Sequence, residues 1–206
     1  MQGLLGISRF IDGLNNRVGH LAYWLTLIAV LVSSGNATVR YLFDTSSNAW
    51  LELQWYLFSA VFLLCGGYAL LHSAHVRIDV IYSRWSRRTQ LYIDVFGIMF
   101  FLLPMAILIL YLSWPVFMNA FMNKEVSSNA GGLIVWPARL LLPVGFFLLV
   151  IQGISELIKR VAIIQGLIPD PALDAGGPTA EEELARAIQE AREKEIADGK
   201  GRSAVI

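Results

Sequence analysis

Twenty-nine consecutive residues, Val95 to Asn123, pass without an aspartate, glutamate, lysine or arginine. A run of this length is too long for the core of a globular domain and reads as membrane-spanning helix. At 1.5 Å per residue it would reach about 44 Å, against a hydrocarbon thickness of about 30 Å. The span is therefore predicted over about 91–114, kinked at Pro104 and broken by Pro115, which disfavours helical geometry at Trp114. Phe117 to Met122 would follow as a separate amphipathic segment. Two more uncharged runs precede it, 22 residues between Arg17 and Arg40 and 24 from Leu53 to Val76. A fourth apolar stretch opens at Trp136 with Pro137 just inside, where a missing N–H is harmless. Arg139 marks its outer edge, and Glu156, Lys159 and Arg160 its inner edge. The chain is thus expected to be an all-α integral membrane protein. Its four transmembrane helices would lie at about 18–40, 51–74, 91–114 and 136–158, within a membrane domain over 1–168.

Composition agrees with that class: 56% of residues are apolar and 16% charged, against roughly 45–50% and 25% in soluble domains. The formal net charge is zero, which gives no sign of a nucleic-acid partner. The cations are nevertheless unevenly placed. Arg9, Arg17, Arg77, Arg84, Arg87, Arg88, Lys159 and Arg160 fall on one side of the spans, and Arg40, Lys124 and Arg139 on the other. The positive-inside rule then puts both termini in the cytoplasm. Trp24, Trp50, Trp55, Trp85, Trp114 and Trp136 fall near predicted span ends, as an aromatic belt would.

Between the second and third spans, His75 to Arg88 reads as an amphipathic interfacial helix. Ile78, Ile81, Tyr82 and Trp85 share one face, while Arg77, Arg84, Arg87 and Arg88 gather elsewhere on the helix. Asp79 can cap it, Arg77 can reach lipid phosphates, and the arginines act as a topological lock. Residues 1–19 are expected to form a short amphipathic lead-in on the membrane surface, and the first span to be a retained anchor, not a cleaved signal peptide. Beyond Asp170 the chain turns hydrophilic. Thr179 to Glu182 matches a capping box, which opens a helix to about Ala197 in a cytoplasmic tail over 169–206.

Residues able to carry chemistry are few. Arg40, Glu52, Asp94, Arg139 and Glu156 all fall at span edges, which argues against a proton relay or an autonomous pump. Arg40 and Glu52 could pair between spans one and two, and Ser47 or Asn48 could cap span two. The small polar patch Ser33, Ser34, Gly35, Asn36, Ala37 and Thr38, together with Gly66 and Gly67, would admit close approach of another helix. His20 and His72 lie at the same end of their spans, which leaves open a haem-bearing membrane anchor of a redox enzyme. A stand-alone adaptor recruiting a partner through its tail is another reading. Cys65 is alone and reads as a packed residue. No metal-ligand spacing or phosphate-cradling glycine loop occurs, so no cofactor is expected.

The order of several short features resembles a known family. Asn36 and Arg40-Tyr41 close span one, and Glu52 opens span two. Glycines precede His75-Val-Arg-Ile-Asp79, Gly132 precedes Trp136-Pro137, and Pro143-Val-Gly145-Phe146 lies within span four. Over roughly residues 10–165 the chain resembles the small integral-membrane (DctQ-type) subunit of tripartite ATP-independent periplasmic (TRAP) transporters. The resemblance implies a bacterial inner-membrane scaffold for a large membrane subunit, which would carry an organic acid inward on a sodium gradient after capture by a periplasmic binding protein. Expected contacts to the large subunit are Ser33 to Asn36, Arg40, Glu52, Gly66, Gly67 and Gly145. Expected outer contacts for the binding protein are Asn48, Lys124, Ser128, Gly131, Gly132 and Trp136.

Overall fold

The structure, a computed structural model, describes residues 2–45, 47–72 and 85–170. Four apolar helical rods dominate, each long and apolar enough to cross a membrane. Helix α1 runs Gln2–Phe43 and α2 Asn48–Leu71. The third rod is α3, Arg87–Gly97, continued through a π turn, Ile98–Leu102, into α4, Leu103–Met122. Helix α5 spans Trp136–Ile164. The chain divides into the units Met1–Gln165 and Gly166–Ile206. The second is described only to Asp170, so the tail helix expected at about 179–197 lies outside the described residues. So do His75, Arg77, Asp79, Arg84 and most of the expected interfacial helix.

Helix α5 is the spine. In its most apolar window 44% of residues are buried, against 11–17% in the other three rods. It packs against α1, α2, α4 and, near its end, α3, while α1 also packs along α2. Small residues allow this. A Cβ on Gly145 would stand 2.7 Å from the Leu63 carbonyl oxygen, and one on Gly67 would stand 3.2 Å from that of Leu148. Both glycines therefore serve contacts between α2 and α5, and the notches expected to receive another subunit there are filled by this chain. Gly66, in contrast, has open space where a side chain would project.

Two expectations about helix ends are corrected. The lead-in over 1–19 is continuous with the first span, making α1 a single helix of 42 residues, about 63 Å long. Its polar residues Ser8, Asp12 and Asn15 each hydrogen-bond side chains of α5, so the helix runs on without a break. Pro115 likewise breaks nothing, because α4 continues through it to Met122. In apolar surroundings a freed backbone group finds no water, so breaking the helix there would cost more than the one hydrogen bond proline removes. The irregularity falls where Pro104 was expected to bend the rod. The π turn ends two residues before that proline, and its wider winding eases the ring's clash with the preceding turn.

Candidate functional site

Polar chemistry is concentrated at the two ends of the bundle. At the end where α1 starts and α5 finishes, Ser8, Asn15, Gln152 and Ser155 are almost fully buried, with Glu156 and Arg160 nearly so. The Ser8 and Ser155 hydroxyls meet at 2.7 Å, and Ser155 Oγ donates to Asp12 Oδ1 at 2.8 Å. Gln152 bridges the helices. Its Nε2 donates to Asp12 Oδ1 at 2.8 Å, and its Oε1 accepts from Asn15 Nδ2 at 2.8 Å. Lys159 pairs with Asp12 at 3.1 Å and with Glu156. Arg160 pairs with Glu156 on its own helix and with Asp94 of α3 at 3.0 Å. Taking such charges out of water is costly for each alone, and mutual pairing with added hydrogen bonds makes it tolerable.

This lattice ties α1, α3 and α5 together, so Asp94 and Glu156 are structural members of a network and not isolated edge charges. Only the i,i+4 pattern of Ser8, Asp12 and Ser155, Lys159 could have hinted at it, since matching two polar stripes requires the tertiary register. Asn15 Oδ1 is buried without a hydrogen-bond partner among the described residues. It faces Gly67, whose added Cβ would stand 2.2 Å away, so the glycine makes room for it.

His20 and His72, the two imidazoles that could have held a haem, sit on this end's α1–α2 face. His20 Nδ1 lies 2.7 Å from the Asn16 carbonyl, and His72 Nε2 lies 3.3 Å from the Asn16 side-chain oxygen. The Tyr68 ring touches both imidazoles, with centroids 6.3 Å from His20 and 4.3 Å from His72. Tyr68 also reaches Tyr23 through their hydroxyls at 3.1 Å. These contacts make the histidines part of an aromatic seam joining α1 to α2.

At the opposite end, Glu52 organises the connection between α4 and α5. It is 4% exposed and accepts from Ser127 Oγ, from Asn129 Nδ2 at 2.8 Å and from the Leu133 N–H at 2.6 Å. Of the two arrangements open to Arg40 and Glu52, a pair or separate charges, the pair does not form: Glu52 binds loop donors, and Arg40 is exposed at the end of α1. Three donors in fixed geometry compensate a carboxylate better than one flexible guanidinium at the surface. Ser47 takes the N-cap position of α2 without a side-chain bond. Asn48 instead donates to the Ala130 carbonyl at 2.9 Å.

The loop folds as a short hairpin. Val126 and Ile134 face each other in an antiparallel bridge, and Ser127 N–H donates to the Leu133 carbonyl at 2.9 Å. Gly131 adopts φ +71°, a left-handed conformation that favours glycine. A Cβ on Gly132 would stand 2.9 Å from Glu52 Oε1. Arg139 clamps Glu125 with two bonds of 2.6 and 2.7 Å, and Trp136 packs edge-on to Phe121 at 5.5 Å. Of the expected docking residues, Asn48, Gly132 and Trp136 are thus committed to shaping the hairpin, while Lys124, Ser128 and Gly131 are exposed on it. Trp85 is exposed ahead of α3, and Ser86 caps that helix by accepting from Thr89 N–H at 3.4 Å, with Arg87 and Arg88 in its first turn.

The comparisons bear on this architecture directly. A search among curated proteins found no significant match. The family model described as tripartite ATP-independent periplasmic transporters, DctQ component, matches residues 28–162. That region holds the Glu52-pinned hairpin and the α5 side of the charged lattice, but not Ser8, Asp12 or Asn15. With well over half its length matched and four membrane-crossing helices, the chain belongs to the DctQ family and is a small multi-pass membrane subunit of a TRAP transporter.

Proposed function

We propose that this chain is the static scaffold of a sodium-driven importer for an organic acid, working with a large membrane subunit and a periplasmic binding protein. The observation that carries this reading is the use of its ionisable groups. Asp12, Asp94, Glu156, Lys159 and Arg160 bind one another across three helices. Such an arrangement stiffens a bundle, whereas a transport path needs charges that exchange partners. Both termini lie in the cytoplasm in this reading, and the hairpin faces the periplasm. The exposed face of α1 that carries Leu27, Ser34 and Thr38 meets the large subunit, because small polar residues at membrane depth favour a protein neighbour over lipid.

The hairpin supplies a firm platform for the binding protein. Val126 and Ile134 are more than half exposed on it, beside Lys124, Ser128 and Gly131. The test is reconstitution of all three proteins in liposomes with a sodium gradient. Omission of this chain abolishes uptake of the acid, and a bulky Ser128→Trp substitution weakens docking of the binding protein while leaving the membrane complex assembled. Unchanged uptake without the chain refutes the scaffold role.

A further inference from the structure

We propose that the cleft between the end of α1 and the start of α2 binds the headgroup of a zwitterionic amino-phospholipid, Arg40 taking the phosphate and Asp44 the ammonium. The cleft has a volume of about 620 Å³ and is walled in part by Ser33, Asn36, Arg40, Asp44, Thr45 and Gln54. Arg40 and Asp44 stand four residues apart, yet they form no ion pair with each other or with any other described residue. Opposite charges left apart on the rim of one cleft suit a ligand that carries both signs. The surrounding hydroxyls and carboxamides offer hydrogen bonds to phosphate and ammonium alike.

The depth also fits a lipid. Arg40 is the first charged residue after a 22-residue uncharged run, and Asp44 lies just past the end of α1, so the pair sits at headgroup level. A second groove of about 480 Å³ adjoins the cleft, sharing Asn36 and Thr45. Leu31, Val32, Val39 and Trp50 line it. Leu31 lies nine residues before Arg40, about 13 Å deeper along the helix. A headgroup held in the cleft can therefore lay an acyl chain along apolar side chains, which a soluble anion could not exploit.

The test uses the full chain, purified in detergent and exposed to equal amounts of phosphatidylethanolamine, phosphatidylglycerol and phosphatidylcholine, with retained lipid read by native mass spectrometry. Wild type retains phosphatidylethanolamine over phosphatidylglycerol by about fivefold, the upper range for one exposed charge pair. Phosphatidylcholine is also retained less, because its quaternary nitrogen donates no hydrogen bond to Asp44. Asp44→Asn, which keeps the shape of the side chain, removes the preference and leaves phosphatidylglycerol retention intact. Arg40→Gln lowers retention of all three lipids. Equal retention by wild type, or a preference that survives both substitutions, overturns the proposal. Loss of the lipid when the chain is purified with its large subunit also overturns it, because a protein segment then fills the cleft. The readout needs only this chain, so its failure is distinct from failure of the scaffold reading.

Discussion

Replacing Gln152 with leucine isolates what holds the first half of α1 against α5. The side chain is fully buried. Across the helix interface it makes two bonds of 2.8 Å, to Asp12 and from Asn15. Interhelical hydrogen bonds in membrane proteins are worth about 0.6 kcal/mol on average and at most about 1.7. Two such bonds put the loss at about 1–3 kcal/mol, with the upper half favoured because one acceptor is a carboxylate. Leucine has nearly the volume of glutamine, so little of this is a cavity term. The loss should appear locally. Amide hydrogen exchange of the chain in bicelles should accelerate across residues 4–19 by about fivefold to a hundredfold, with residues 136–148 unaffected. In a double-mutant cycle with Asn15→Leu, the coupling should be about 0.6–1.7 kcal/mol. A coupling near zero, with α1 exchange unchanged, would refute the claim that this bridge keeps α1 continuous with the bundle.

Further outcomes follow from the packing, the loop geometry and the placement of charge. Gly145→Val should destabilise the bundle by about 1–3 kcal/mol, since the new side chain overlaps the Leu63 backbone. Gly66→Ala should be neutral or stabilising, because its space is open and alanine is the better helix former, and thermal unfolding in detergent compares the two. Glu52→Gln should speed hydrogen exchange at the Leu133 and Ser127 amides and raise protease cleavage between Asn123 and Val135, without altering helix content by circular dichroism. Replacing Arg84, Arg87 and Arg88 together with glutamate should lower membrane insertion or assembly, read by cysteine accessibility at Lys124→Cys. Affinity of the assembled transporter for its acid should stay constant, and a changed affinity with normal assembly would contradict a purely topological role.

Much of the architecture is legible in local pattern. Uncharged runs between Arg17 and Arg40, Leu53 and Val76, and Val95 and Asn123 mark helices because lipid forces the backbone to satisfy itself within each segment. Pro137 marks the start of α5 for the equally local reason that its N–H is not needed there. Local reasoning fails where a segment's state depends on its neighbour. Pro115 looks like a terminator in isolation, and residues 1–19 look like a surface helix until Ser155 and Gln152 are placed opposite Ser8, Asp12 and Asn15. Glu52 illustrates the same limit. Its position at the start of α2 is visible in sequence, but its partners lie 75 to 81 residues away.

The sequence by itself therefore determines the class of protein, the number of crossings and the family resemblance, since hydropathy, charge placement and motif order are one-dimensional properties. Only the tertiary structure decides that α5 is the spine and that Gly67 and Gly145 are spent on internal packing. It alone shows that the charges at one end of the bundle pair with one another and that a carboxylate from one helix shapes a loop between two others. Those facts depend on which faces meet and in what register. A helix of 3.6 residues per turn presents many faces, and only the packed bundle selects among them.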